Sequence, residues 1–124
     1  GRIRKQLLPT YDVFDERRYF EPGAEAGLVE VAGRRFGVTV CEDIWGPQMG
    51  YARDPLDAML DRWGGDLAGI VNVSASPYHL GKTAQRLEVA RRVAARSGRP
   101  LLYVNQVGGQ DSLLFDGHST AMDA

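Results

Sequence analysis

Cysteine, histidine and net charge are what this 124-residue sequence has least of: one Cys, two His and a formal charge of -1. A single thiol, Cys41, cannot close an internal disulfide, which fits a reducing compartment. One cysteine and two scattered histidines, His79 and His118, have no metal-ligand spacing, so no metal site is expected. With 15 basic and 16 acidic side chains there is no overall field to steer the chain toward nucleic acid or an anionic membrane. No apolar run approaches the roughly 18 residues of a membrane span, and no stretch has the build of a signal peptide, so a cytoplasmic location is expected. Internal repeats and low-complexity tracts are missing too.

The composition that remains is that of a globular domain, 44% hydrophobic and 25% charged. A chain of this length buries roughly two-thirds of its unfolded surface. Its opening, "GRIRKQLLP", lacks Met and reads as already inside a structured segment, which suggests a piece of something longer.

"TYDVFDERRYFEPGAEAG" reads as a loop. "LVEVAGRRFGVTV" reads as two strands around a Gly33 turn, with Cys41 closing the second. Asp54 is placed to cap a helix whose first residue is Pro55, with Leu56, Met59, Leu60 and Trp63 on one face and a stop at Gly64-Gly65. "LAGIVNVSA" has the pattern of a strand covered on both faces, and "PLLYVNQV" of another buried strand. Between them Thr83 to Ser97 reads as a helix, with Leu87, Ala90, Val93 and Ala94 inward and Gly98 past its end. Its arginines, Arg86, Arg91, Arg92 and Arg96, read as a solvated face or an oligomer contact. "SLLFDGHSTAMDA" looks like a hairpin turning at Asp116-Gly117. The order βαβαβ plus hairpin is an α/β pattern.

Cys41 ends an apolar run and precedes two acids, in "GVTVCEDIWG". A lone cysteine is a small hydrophobe by default, but strand ends in α/β sheets are where ligands bind, and a thiol on a sharp turn there has backbone N–H groups nearby for an oxyanion. The residue pattern alone leaves both readings open. A nucleophilic thiol needs a base or cation. Neither histidine lies in a recognisable cysteine-hydrolase context, which leaves Lys5, between Ile3 and Leu7, as a possible neighbour at the end of an adjacent strand or simply as a solvated lysine.

Four blocks, "RKQLLPTYDVFDERRYF", "GVTVCEDIWG", "NVSASPYHLGK" and "YVNQVGGQDSLLFDGHS", together resemble the nitrilase-like amidohydrolase domain of glutamine-dependent NAD synthetases. The resemblance implies an α-β-β-α sandwich, of which residues 1-124 form a partial domain. It also implies a Glu-Lys-Cys triad in which Cys41 is the nucleophile and Lys5 stands beside the oxyanion. The triad glutamate lies upstream of the lysine in that family, where this chain has four residues and no acid. Glu16 matches a second, supporting glutamate, and Tyr11, Glu42, Ser76 and Lys82 match the lining of a glutamine pocket. Plain readings stand beside these: a packed aromatic, a loop acid, a turn serine and a solvated lysine. Trp45 is expected to be wall or core.

The implied reaction is hydrolysis of the glutamine side-chain amide through a cysteine thioester, with ammonia passing to an ATP-dependent synthetase domain. No cofactor is expected in this segment, ATP and magnesium belonging to that other domain. The expected partners are L-glutamine, the synthetase domain of the same polypeptide and further copies in a homo-oligomer, with no nucleic acid and no membrane. Two alternative readings stand beside this one: a free-standing nitrilase-type amidase or carbamoylase, and an inert fragment serving as a structural or interaction module.

Overall fold

A computed structural model describes residues 1–124. The two apolar strands expected around the Gly33 turn are β1 (Gly27–Val31) and β2 (Arg34–Val40), paired antiparallel. β2 runs parallel to β3 (Leu67–Ser74), and β3 parallel to β4 (Leu101–Asn105). With β7 (Thr120–Met122) antiparallel to β4, the sheet has the order β1-β2-β3-β4-β7.

The crossovers are helical for reasons visible in the chain. In α1 (Pro55–Trp63) the Asp54 carboxylate accepts the Leu56 N–H at 2.9 Å, and Pro55 enters at the first position, where a missing N–H costs nothing. α2 (Lys82–Ser97) stops where Gly98 takes φ +60, a left-handed turn that glycine adopts without a Cβ clash. Both helices lie on the same sheet face. Met59, Ile70, Ala90, Ala94 and Leu101 are fully enclosed between them.

The opposite face differs from the expectation of strands covered on both sides. Val29, Val31, Val73, Leu102 and Val104 alternate with the core residues and are exposed. Two-sided apolar runs state that a strand will be covered, and α1 and α2 cover one side only. Half of the expected α-β-β-α arrangement is thus seen, one helical layer on one sheet.

Three local expectations need correction. Lys5 lies on no strand, because residues 1–5 have no regular structure and pair with no sheet. The hairpin is β5 (Val107–Gln110) with β6 (Leu113–Asp116), turning at Asp111-Ser112. Asp116-Gly117 instead leads the chain away toward β7; the Gly117 N–H donates to the Gln106 carbonyl there, with φ +67. Finally, Arg86 is 3% exposed and belongs to the buried stripe of α2 with Val89, Ala90, Val93 and Ala94, not to a solvated face. No helix is long and apolar enough to cross a membrane.

Candidate active site

β2 ends at Val40, and the chain tightens at once into a 3-10 turn, Cys41–Ile44. Cys41 opens that turn with φ +46, a left-handed conformation that costs a non-glycine residue on the order of 1 kcal/mol or more unless its surroundings fix it. Those surroundings are specific. The buried Asp43 carboxylate accepts the Val40 N–H at 2.9 Å through Oδ2, closing the turn on itself. Through Oδ1 it accepts the N–H groups of Gln6 and Leu7 at 2.9 and 2.8 Å, which ties the amino-terminal segment to the turn.

That tie brings Lys5 to the cysteine. The two line one cavity of about 560 Å³ together with Phe14, Glu16, Ser74 and Ala75. Lys5 Nζ donates to both Glu16 carboxylate oxygens at 2.7 Å, with both side chains mostly shielded from solvent. Burial pushes the Cys41 thiol up from its ordinary pKa. The Lys5 charge and hydrogen bonds from Ser74 and the Ala75 backbone oppose that rise, while the Glu42 charge adds to it. Lys5 thus favours the thiolate in sign, but burial outweighs it and the net shift is upward.

Tyr11, Glu42, Ser76 and Lys82 meet on the other side of Cys41, around a second cavity of about 280 Å³ walled by Trp45. Glu42 is 5% exposed and its Oε1 accepts two phenols, Tyr11 at 2.7 Å and Tyr51 at 3.3 Å. Burial, then the carboxylate itself, raises both phenol pKa values, that of Tyr51 to about 12. Lys82 Nζ sits 4.5 Å from the centre of the Trp45 ring. Burial and the charge of Arg86 lower its pKa, against the pull of Glu42 and Cys41.

Ser76 owes its place to residues the sequence reading passed over. Its N–H donates to Asn105 Oδ1 at 2.9 Å, and Asn105 Nδ2 donates onward to the Gly117 carbonyl at 2.9 Å. Arg86 donates to the Ser76 hydroxyl (3.2 Å), the Ser76 carbonyl (2.7 Å), the Pro77 carbonyl (3.1 Å) and Asp116 (2.6 Å). One signal was available for Arg86: it falls in register, three, four, seven and eight residues before Val89, Ala90, Val93 and Ala94. For Asp43, Tyr51 and Asn105 no pattern in the sequence pointed to a partner. His79 and His118 are exposed, the latter beside Asp116 at 3.0 Å. A larger cavity of about 780 Å³, along residues 1–4 and β1, contains no nucleophile.

The arrangement suits acyl transfer to sulfur. It offers a thiol on a strained turn, an ammonium held beside it, and a second, largely apolar cavity with a carboxylate on one wall and an ammonium on another.

A family model described as carbon-nitrogen hydrolase matches residues 1–124. The glutamine-dependent NAD(+) synthetase of Thermotoga maritima is 45% identical over 124 residues, covering 100% of this chain and 20% of its own length. That of Synechocystis sp. is 46% identical over 127 residues, covering 98% of this chain and 22% of its own. The chain therefore spans about a fifth of the curated relatives it matches. Among solved structures, the glutamine-dependent NAD+ synthetase of Acinetobacter baumannii in complex with ADP superposes with a TM-score of 0.79 at 36% identity, over 96% of this chain and 21% of that one. An amidase of the nitrilase superfamily from Nesterenkonia AN1 gives a TM-score of 0.71 at 22% identity, over 96% of this chain and 40% of that one, a likeness of fold alone.

Proposed function

Because the chain belongs to the carbon-nitrogen hydrolase family, we propose that it carries the nucleophile and substrate wall of a glutaminase that feeds ammonia to an NAD synthetase domain of the same polypeptide. The observation carrying this reading is the position of Cys41 between two cavities, one holding Lys5 and the other lined by Tyr11, Glu42, Ser76 and Lys82. An amino-acid amide needs an acceptor for its ammonium and a donor for its carboxylate, and Glu42 and Lys82 supply that pair. A simple amide has no use for either charge, which favours glutamine over the substrates of a free-standing amidase.

In the proposed reaction a base removes the Cys41 proton and the sulfur attacks the side-chain carbonyl carbon of glutamine. The C=O electron pair moves to oxygen, where the Lys5 ammonium and the Glu42 backbone N–H hold it. Collapse of the adduct with proton delivery to nitrogen breaks the C–N bond, releases ammonia and leaves a thioester on Cys41. Water then adds to the thioester, glutamate departs, and the thiol is restored. Glu16 serves as a support that aims Lys5. The base the first step needs is, by the family resemblance, a glutamate upstream of Lys5.

The exposed apolar face of Val29, Val31, Val73, Leu102 and Val104 fits the inner layer of an α-β-β-α sandwich whose second sheet comes from the remainder of the domain. Magnesium and ATP are assigned to the synthetase domain, and no step here runs through them.

The test is an electrophilic glutamine analogue applied to the full-length protein. It is expected to alkylate Cys41, with glutamine protecting, and Cys41→Ala is expected to abolish ammonia release. Absence of an adduct at Cys41 would overturn the reading.

A further inference from the structure

Asn72 sits in the middle of the sheet, on β3, with no exposed surface. A carboxamide buried there displaces an apolar side chain from the core, and is tolerated only when every hydrogen-bonding function it brings is matched. All three of its partners lie around Cys41. Nδ2 donates to Thr39 Oγ1 at 3.0 Å and to the Cys41 carbonyl at 3.3 Å, and Oδ1 accepts the Ser74 hydroxyl at 2.6 Å. The orientation of the amide is not free. Thr39 gives its own proton to the Val71 carbonyl at 3.4 Å and so can only accept from Asn72, as must a carbonyl, which leaves Oδ1 for Ser74.

We propose that Asn72 is a positioning residue for the nucleophile, holding the Cys41 carbonyl in its left-handed turn and the Ser74 hydroxyl against the sulfur-bearing cavity. The proposal rests on the reading of Cys41 as nucleophile. The register of β2 on β3, with Val40 opposite Val73, places Cys41 next to Ser74, and both line the cavity that holds Lys5. Ser74 has one proton. In the thiol state it lies on Asn72; when the thiolate forms, the hydroxyl turns toward sulfur, consistent with its pull on the Cys41 thiol. The buried Tyr103 hydroxyl, which has no partner, is available to donate to the Ser74 oxygen as it turns. Asn72 thus sets both the backbone angle that points the sulfur and the first donor the thiolate meets.

The experiment uses the full-length protein with Asn72→Asp, which keeps the shape but removes at least one of the two amide donors, and Ser74→Ala, a smaller change that removes the third contact. Active sites are counted by alkylation, so that unfolded molecules do not enter the rate. For Asn72→Asp the kcat per titrated site is expected to fall about tenfold to a hundredfold, with the glutamine KM changed less than about threefold. The pH midpoint of Cys41 alkylation is expected to rise by about half a unit or more in both variants. A purely structural asparagine would lower thermal stability and leave the surviving sites with wild-type kcat and an unchanged alkylation profile; that outcome in Asn72→Asp, or in Ser74→Ala should the first not fold, overturns the proposal. Glutamine hydrolysis persisting in Cys41→Ala would instead overturn the reading of Cys41 as the nucleophile.

Discussion

On the Lys5 side of Cys41, one carboxylate collects three main-chain N–H groups; on the Ser76 side, one guanidinium reaches two main-chain carbonyls, a hydroxyl and a carboxylate. Asp43 fixes a segment with no regular structure of its own, and Arg86 fixes a loop that leaves the end of β3. The contrast lies in what balances the buried charge. Asp43 has only backbone dipoles in contact, so burial raises its pKa despite them and despite the more distant Lys5 charge. For Asp116 burial also pushes upward, but the hydrogen bond and charge of Arg86 bring the net pKa below the ordinary carboxylate range. Asp43 is also the more deeply buried of the two, so it meets the larger desolvation with no cation in contact to offset it. The first anchor holds Lys5 in the cavity it shares with Cys41; the second holds Ser76 in the wall of the other.

Removing the Asp43 acceptor is the harshest way to break this comparison. Asp43→Ala leaves three buried N–H groups without partners and is expected to cost on the order of 3–5 kcal/mol in urea denaturation, with loss of Cys41 alkylation as Lys5 drifts away. Next in size is Arg86→Lys, in which one ammonium replaces a fork that serves four acceptors. About 2 kcal/mol of stability is expected to go, and the glutamine KM is expected to rise about tenfold while kcat changes less than threefold, because the damage is to binding. Equal losses in kcat and kcat/KM would show that the two anchors serve the same step.

The finest test is acid titration, since the two carboxylates bend stability in opposite senses. Asp116, with its folded pKa depressed, contributes stability that is present above the ordinary carboxylate range and lost as pH falls through the lower folded value. Asp43, with its folded pKa raised, binds a proton more tightly when folded, so its contribution is greatest below the ordinary range and declines as pH rises through the raised value. Asp116→Asn is therefore expected to make the loss of stability between about pH 7 and 3 shallower and Asp43→Asn to make it steeper, each by about 1 kcal/mol or less.

Capping and periodicity made the scaffold legible: Asp54-Pro55, Gly98 and the alternation of β2 state their local geometry in adjacent residues. The final hairpin was misplaced because Asp-Gly is the stronger local turn signal, while the actual turn uses Asp111 at φ +51 and relies on β5 pairing with β6. Arg86 was missed because an arginine in a polar-looking helix averages into the solvated face, although its register put it on the buried stripe. The gathering of Tyr11, Glu42, Ser76 and Lys82 around Cys41 was legible through likeness to a family and not through spacing, for these residues are brought together by Asp43, Asn105 and Arg86 across long loops. The open sheet face escaped because apolar alternation tells that a surface is to be covered without telling by what.

The Lys82 ammonium over Trp45 has an optical side. Indole emission responds to a nearby full charge, and the second tryptophan, Trp63, has the Arg62 guanidinium 4.7 Å from its ring and lines neither of the cavities beside Cys41. Whatever anion draws Lys82 off the Trp45 ring is expected to change the colour of one indole and leave the other as a reference, an optical gauge of whether that cavity is filled.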